Sequence, residues 1–260
     1  MLRNLKLAVL GAVAASTLMA SAAQAGTIIG LVDGKWLVGI DSGSRKVTWK
    51  SEVKGAGPLL GIDVRPADGA LYGLTGNGQI VTIDAKSGQA TEKSTLSENL
   101  KAGVTVTFDF NPVADRLRLM GSDGTSLRIN VDDGKVTVDG SHKYKDGDAN
   151  AGKTPKVIAG AYTNSFKGTK ATALYNIDAT TGSLVTQAPP NDGVLNTIGL
   201  LGITVNGAAA FNIVAEGENN NGWLASGGNL YAVDLKTGKA TMAGKIEGLP
   251  GKLSDIAWID

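Results

Sequence analysis

The chain of 260 residues contains no cysteine and a single histidine. The absence of cysteine excludes disulfide bonds, thiol catalysis and thiolate metal sites. One imidazole is too few for a histidine-based zinc site, and the sequence has no Gly-x-Ser-x-Gly elbow for a serine hydrolase. The neighbours of His142, which are Ser141, Lys143 and Lys145, are typical of a surface loop. The common nucleophile and zinc chemistries are therefore not expected here.

No excess of one charge is present either, since 25 basic residues face 24 acidic ones. This balance gives no electrostatic basis for binding nucleic acid or an anionic membrane, so neither is an expected partner. Proline is scarce, with 7 residues, whereas glycine is abundant, with 36. Such a composition is typical of many tight turns between short strands.

A long apolar run occurs once, at the start of the chain. Arg3 and Lys6 precede the apolar residues 7–20, and Ala23-Gln24-Ala25 provides a small-residue cleavage pattern. These features predict a signal peptide over residues 1–25 and a single mature domain over residues 26–260. We therefore expect an exported protein, periplasmic or secreted, that does not insert into the membrane after cleavage.

Five short apolar strands with polar tips recur along the chain. Their third residues, at positions 63, 109, 162, 204 and 258, lie 46, 53, 42 and 54 residues apart. Strand repeats of this length are typical of propellers, in which each blade buries its faces against its neighbours. The tips are Gly61-Ile62-Asp63-Val64-Arg65, Thr107-Phe108-Asp109-Phe110-Asn111, Gly160-Ala161-Tyr162-Thr163-Asn164, Gly202-Ile203-Thr204-Val205-Asn206 and Ile256-Ala257-Trp258-Ile259-Asp260.

A turn motif lies between the tips, most clearly at residues 83–88, 177–182 and 233–238. Each copy has an aspartate that can bond the backbone of the turn and a glycine that accepts positive φ. We interpret these turns as hairpins that join the outer two strands of a blade. The C-terminal tip has no hairpin after it, and the N-terminal hairpin has no tip before it. The sequence thus predicts an all-β, five-bladed β-propeller closed by pairing the C-terminal strand with the N-terminal strands.

Three segments are predicted to be long connections between strands, at residues 95–102, 140–156 and 215–228. In a propeller such connections project at the rims, where binding loops usually lie.

The motifs Asp63-Val64-Arg65-Pro66 and Asp109-Phe110-Asn111-Pro112 resemble Asp-Phe-Arg-Pro and Asp-Phe-Asn-Pro strands of a family of exported bacterial proteins known as a domain of unknown function. Residues 161–164 and 174–178 carry the same resemblance, which covers nearly all of the mature chain. Val64 stands where the family more often has phenylalanine. The resemblance implies an exported propeller-like domain and brings no established activity, ligand or catalytic residue.

The polar residues of the tips are the first candidates for a ligand site, because alternate strand residues share one face. One predicted layer holds Asp63, Asp109, Tyr162, Thr204 and Trp258, and the next holds Arg65, Asn111, Asn164, Asn206 and Asp260. Such a channel mouth could hold a cation or a small polar ligand. In the competing interpretation the acids and amides cap turns and pair with Arg65, Arg116 or Arg118 between blades. Two carboxylates could also catalyse acid–base cleavage of a glycosidic bond.

Two further loops contain candidate residues. Asp146, Asp148 and Asn150 place oxygen ligands at alternate positions, which favours a non-helical calcium loop over an EF-hand, or else a solvated polar turn. Trp223 follows three asparagines and could stack on a sugar or anchor a partner, or fold back over its own loop.

We therefore expect an exported, non-catalytic binding or scaffold propeller with no cofactor other than possible calcium. Its partner would be an unidentified envelope or extracellular component or a glycan. The alternatives are a hydrolase or lyase that acts on a polar polymer through channel carboxylates, and a calcium-stabilised component of the envelope or matrix.

Overall fold

The computed structural model describes residues 26–205, 207–217 and 219–259. The predicted signal peptide lies outside these residues. In chain order the first eleven strands are β1 (Thr27–Val32), β2 (Trp36–Asp41), β3 (Val47–Glu52), β4 (Leu59–Val64), β5 (Leu71–Thr75), β6 (Gln79–Ile83), β7 (Ala90–Thr95), β8 (Val106–Asn111), β9 (Arg116–Gly121), β10 (Ser126–Asn130) and β11 (Lys135–Val138). The remaining ten are β12 (Lys143–Tyr144), β13 (Val157–Tyr162), β14 (Leu174–Asp178), β15 (Ser183–Gln187), β16 (Val194–Leu200), β17 (Ala209–Glu216), β18 (Asn219–Ser226), β19 (Asn229–Val233), β20 (Ala240–Lys245) and β21 (Leu253–Ile259), and a short 3₁₀ turn covers Pro190–Asp192.

The strands form five sheets, which are the blades of a β-propeller and confirm the predicted fold. From the axis outwards, blade 1 is β21-β1-β2-β3, blade 2 is β4-β5-β6-β7 and blade 3 is β8-β9-β10-β11. Blade 4 is β13-β14-β15-β16 with β12 added in parallel at its outer edge, and blade 5 is β17-β18-β19-β20. The inner strands contact one another in a closed ring, in the order β21, β4, β8, β13 and β17.

The ring closes where the two ends of the described chain meet. Strand β21 pairs antiparallel with β1, from Thr27 opposite Ile259 to Val32 opposite Leu253. The C-terminal strand is thus the innermost strand of the blade that the N-terminus begins, as the sequence predicts. Closure leaves the inner edge of every blade covered by its neighbours in the ring.

Apolar side chains pack between neighbouring blades, because successive strand residues face opposite sides of a sheet. Between blades 2 and 3, for example, the rings of Tyr72 and Phe110 meet edge to face with centroids 5.3 Å apart. Between blades 4 and 5, Ala161 packs in one cluster with Phe211 and Ile213. Each blade therefore depends on two neighbours for burial of its faces.

The hairpin turns form as the sequence predicts, with one exception in their position. Asp84 accepts hydrogen bonds from the Ser87 backbone and hydroxyl at 2.8 and 2.9 Å, and Gly88 adopts a φ of 75°. This turn joins the outer two strands of blade 2. In blade 4, however, the turn after Asp178 joins the middle strands β14 and β15, because the outer strand β16 follows the 3₁₀ turn.

Two of the sequence predictions about connections are wrong. Residues 215–228 do not form a long loop, because β17 and β18 pair along their whole length from Ala209–Ser226 to Glu216–Asn219. His142 does not lie on the surface: its side chain is buried, with Nε2 3.3 Å from the Met120 sulfur, where the chain enters β12. Burial lowers the pKa of His142 to about 4.

Candidate functional site

Three carboxyl groups on the inner strands lie close to the propeller axis. Asp255, Asp63 and Asp109, which we call the axial carboxyls, are 9%, 4% and 4% exposed. Each accepts a backbone N–H from the inner strand of the following blade: Ile62 N to Asp255 Oδ2 at 2.9 Å, Phe110 N to Asp63 Oδ2 at 2.8 Å, and Tyr162 N to Asp109 Oδ1 at 2.9 Å. The axial carboxyls therefore link four consecutive inner strands.

Burial makes these groups weak acids. It raises the pKa of Asp63 to about 7, although hydrogen bonds from the Phe110 backbone, the Val64 backbone and the Asn212 side chain act in the opposite direction. The pKa values of Asp109 and Asp255 also lie well above the usual range, first because of burial and then because of the charge on Asp63. Near neutral pH the axis therefore retains protons that exposed aspartates would lose.

The prediction that Tyr162 and Thr204 complete the layer of Asp63 and Asp109 is wrong. Tyr162 faces back towards blade 3, where its hydroxyl accepts a hydrogen bond from Arg118 Nε at 3.2 Å. Ala161 takes the forward-facing position on β13, because Ala161 packs against blade 5. Thr204 lies in an irregular segment before β17 and belongs to no strand.

Asn212 on β17 is the residue that sequence reasoning missed. Its side chain reaches the carboxyl of Asp63, although blades 5 and 2 are not adjacent in the ring. A signal for this position exists, since Phe211-Asn212-Ile213 places a polar residue between two large apolar ones, as Phe108-Asp109-Phe110 does.

Asp63 and Asn212 open onto a cavity of about 380 Å³, which we call the axial pocket. Both residues are largely buried, at 4% and 8% exposure. The pocket lies where the inner strands end, and Trp258 of β21 and Ser165 of the β13–β14 loop also line it. The remaining lining residues are mostly of apolar type, and the cleft as a whole presents polar and apolar surface in similar amounts.

The model of one protein family, described as domain of unknown function DUF4394, matches residues 36–257. The chain belongs to this family. The match confirms the resemblance to a domain of unknown function and reaches every blade of the propeller. A comparison with curated proteins gives no match.

This DUF4394 member is similar to several solved structures at low identity. A protein of unknown function from Bacteroides thetaiotaomicron has a TM-score of 0.55 and 13% identity, over 91% of this chain and 65% of its own. One from Bacteroides caccae has a TM-score of 0.46 and 13% identity, over 85% and 73%. An auxiliary nutrient binding protein from Bacteroides thetaiotaomicron has a TM-score of 0.44 and 14% identity, over 82% and 57%. The likeness with a TM-score of 0.55 concerns the fold alone.

Arg65 and Asn111, predicted for the second layer, have structural partners. Arg65 forms ion pairs with Asp115 at 2.6 Å and Asp132 at 3.1 Å, both on blade 3, and donates to the Tyr72 hydroxyl. Asn111 Oδ1 accepts the backbone N–H groups of its own turn. Arg65 thus pairs between blades and Asn111 caps a turn, as the competing interpretation expects.

A second cavity, of about 510 Å³, lies beside blades 3 and 4 and is lined by Asn111 and Tyr162. Asn164 lies outside both cavities and exchanges hydrogen bonds with Asn220 of blade 5: its N–H and its Oδ1 bond the Asn220 amide at 2.7 and 2.8 Å. Asn206 lies outside the described residues. The predicted tip residues are therefore distributed over separate places and do not form one site.

Trp223 lies on β18 rather than in a loop, and lines a cavity of about 400 Å³ on blade 5 with Asn220 and Asn221. Its indole packs in the apolar cluster between blades 5 and 1, and its Nε1 is buried without a hydrogen-bond partner among the described residues. Trp223 is therefore a strand residue whose ring packs between two blades, and it does not lie in a loop.

Two of the three predicted calcium ligands are engaged with blade 4. Asp148 accepts the Thr197 backbone N–H at 2.7 Å and its hydroxyl at 2.6 Å, and Asn150 Nδ2 donates to the same hydroxyl at 3.0 Å. Asp146 is exposed beside them. In the described part of the chain no three His, Cys, Asp or Glu side chains are arranged to hold a metal ion, and no helix has the length and hydrophobicity to cross a bilayer.

Proposed function

We propose that this family member is an exported, non-catalytic binding protein that holds a small polar ligand in the axial pocket. The observation that carries the proposal is the meeting of Asp63 and Asn212, which come from non-adjacent blades, at a cavity of about 380 Å³. This volume lies within the range of small-molecule sites, roughly 300–1,000 Å³. A preformed cleft of mixed polar and apolar surface, in which two polar side chains converge, favours binding of a small molecule.

The arrangement of the carboxyls favours binding over catalysis. Of the described residues that line the axial pocket, Asp63 is the only one with a carboxyl group. Asp109 is 4% exposed, and its Oδ1 accepts a backbone N–H of β13. Glycoside cleavage by two carboxyls needs both to flank the scissile bond, and one carboxyl in the cleft does not meet that need.

Export is proposed from the N-terminal sequence. Cleavage after Ala25 would begin the mature chain at Gly26, one residue before β1. Mass spectrometry of the protein recovered from the periplasm or the medium tests this point. We expect an N-terminus at Gly26, and recovery of the uncleaved chain from the cytoplasm would contradict it.

The binding proposal is tested by thermal unfolding in the presence of a library of small polar compounds. We expect at least one compound to raise the melting temperature, because a ligand that binds only the folded state stabilises it. The variant Ser165→Trp fills the pocket from a loop and should abolish the shift. Thr91→Trp, on an exposed position of β7, is the matched control and should retain it. No shift with any compound, or a shift unaffected by Ser165→Trp, would overturn the proposal.

A further inference from the structure

The axial pocket also restricts the charge of its ligand, an inference that rests on the proposed function. The described lining residues include no lysine, arginine or histidine. An anion entering the pocket would therefore lose its hydration without gaining a cationic partner, which is costly at a largely buried site. The lining thus disfavours anionic ligands.

A cation would need Asp63 in its ionised form. That form is opposed by three features: the side chain is 4% exposed, and the carboxyls of Asp109 on β8 and Asp255 on β21 face it from both neighbouring inner strands. On β5 the residue opposite Asp63 is Tyr72, and the residue that approaches from β17 is the uncharged Asn212. The Phe110 N–H, which favours the ionised form, occupies one oxygen of Asp63, but burial and the two neighbouring carboxyls outweigh it. The pocket therefore presents a mostly neutral carboxyl below pH 7.

A neutral carboxyl and a neutral amide side by side offer hydrogen-bond donors and acceptors together. The residues that line the pocket around them include Val64, Pro66 and Trp258. Apolar and aromatic walls fit the C–H face of a ring, whereas the polar pair fits hydroxyl groups at its edge. Cyclic polyhydroxylated compounds carry both kinds of surface on a small rigid ring.

We propose that the axial pocket binds an uncharged, polyhydroxylated ring of monosaccharide size, whose hydroxyls bond the Asp63 carboxyl and the Asn212 amide. The ligand is thus a neutral sugar or cyclic polyol, held with its apolar face against the pocket wall. A glycan end that presents such a ring would bind in the same way.

Calorimetric titration with rings that differ only in charge tests this proposal. Two series serve as probes, glucose with glucosamine and glucuronate, and galactose with galactosamine and galacturonate, each at millimolar concentration and pH 6. We expect a neutral member to bind at least about ten-fold more tightly than its charged relatives, since the charged groups find no partner. Equal or tighter binding of a charged member, or no binding of either neutral ring, would overturn the inference.

Variants assign the binding to the polar pair. Asp63→Asn keeps a donor and an acceptor and should bind the neutral ring within a few-fold of the wild type. Asp63→Ala and Asn212→Ala should each weaken binding about ten-fold or more, as the loss of one or two hydrogen bonds implies. Glu92→Gln, an exposed acid-to-amide change on the outer strand of the same blade, is the control and should bind normally.

The two proposals fail in different ways. If a charged ring binds and Ser165→Trp blocks it, the pocket is a ligand site and the inference about charge is wrong. If the library gives no ligand at all, or if Ser165→Trp leaves binding intact, the proposed function itself is wrong.

Discussion

The environment of an aspartate decides how strongly it holds its proton, and the hairpin turns and the axis of this protein have opposite effects. At the exposed hairpin turns, backbone hydrogen bonds from Ser87 and Lys236 lower the pKa values of Asp84 and Asp234. At the axis, burial raises the pKa of Asp63 to about 7. The turn motif could be interpreted from the sequence because its partners are neighbours in the chain. The protonation of the axial carboxyls could not, because it depends on three strands far apart in sequence.

The axial carboxyls should make the stability of the protein fall as the pH rises. Asp63 holds its proton to about pH 7 in the folded protein but to 3.8 when unfolded. Between these values the folded state binds more protons, so the free energy of unfolding declines by up to about 1.4 kcal/mol per pH unit for this group. Asp63→Asn should flatten the decline and, at pH 8 to 9, exceed the wild type by roughly 1–4 kcal/mol. Urea unfolding at a series of pH values measures both effects.

Asp234→Asn is the control for that experiment. It removes a carboxyl with a lowered pKa at an exposed turn, and so it should not raise stability at high pH. If Asp63→Asn also leaves the pH profile unchanged, Asp63 does not hold a raised pKa and the description of the axis is wrong.

The glycine of the repeated turn can be required for two reasons, its positive φ and the close approach of a neighbouring blade. Gly88 and Gly182 both have positive φ, 75° and 64°. A Cβ on Gly88 would lie 1.9 Å from the carbonyl oxygen of Glu52 in the neighbouring blade, whereas one on Gly182 would meet nothing within 4 Å. Gly182→Ala should therefore cost about 1–2 kcal/mol of backbone strain. Gly88→Ala should cost clearly more, because the backbone of blade 1 must move. If chemical denaturation gives equal losses of unfolding free energy for the two variants, the contact between blades contributes nothing at Gly88.

Among the elements, inner strands and hairpins were largely predictable, since alternation and turn chemistry are local. The exceptions have physical causes. Blade 4 uses its turn between the middle strands because a 3₁₀ turn over Pro190–Asp192 redirects the chain before β16. The polar run Asn219–Asn221 has the composition of a loop, yet it pairs with β17, since backbone hydrogen bonds to a neighbouring strand override local propensity. Asn212 is absent from the predicted site because the sequence pattern places the fourth inner strand at residues 202–206, whereas the inner strand is β17.

Blades 3 and 4 are joined by a buried arginine. Arg118 is 1% exposed and donates to Asp139 at 2.5 Å, Asn191 at 2.7 Å and the Tyr162 hydroxyl. Arg118→Met should destabilise the protein by about 2–4 kcal/mol, because it removes one of the two arginines that pair with the buried Asp139 and leaves the buried Tyr162 hydroxyl without its donor. Arg116→Met, two residues away on the same strand and bonded to one backbone carbonyl, should cost less than about 1 kcal/mol. Similar unfolding free energies for the two variants would contradict the assigned role.

At the scale of the whole molecule, the account depends on closure of the ring by β21. Thr27 and Ile259 face each other across β1 and β21. Because the chain has no cysteine, two cysteines introduced at these positions can form an intramolecular disulfide only with each other. Thr27→Cys with Ile259→Cys should form an intramolecular disulfide on oxidation. The bond closes a loop of more than 200 residues and should raise the melting temperature, with a chain-entropy gain of about 5 kcal/mol. Thr27→Cys with Leu253→Cys, at opposite ends of the pairing, should remain reduced or cross-link between molecules.

The five-bladed architecture could be predicted from the sequence because a propeller repeats one local pattern. Ring closure could be predicted because the C-terminal tip has no hairpin after it and the N-terminal hairpin has no tip before it. The ligand site could be predicted only in part. Asp63 was predicted to line a site, but its partner Asn212 lies about 150 residues away in a blade that is not its neighbour, and only the folded ring brings them together.

The most direct test of the account is a crystal structure of the protein with the neutral sugar that titration identifies as its best ligand. We expect electron density for one ring in the axial pocket, with hydroxyl groups within hydrogen-bonding distance of Asp63 and Asn212 and the ring face against the apolar wall. Density at the cavity beside Trp223 or at the one lined by Asn111 and Tyr162, with the axial pocket holding only water, would contradict it.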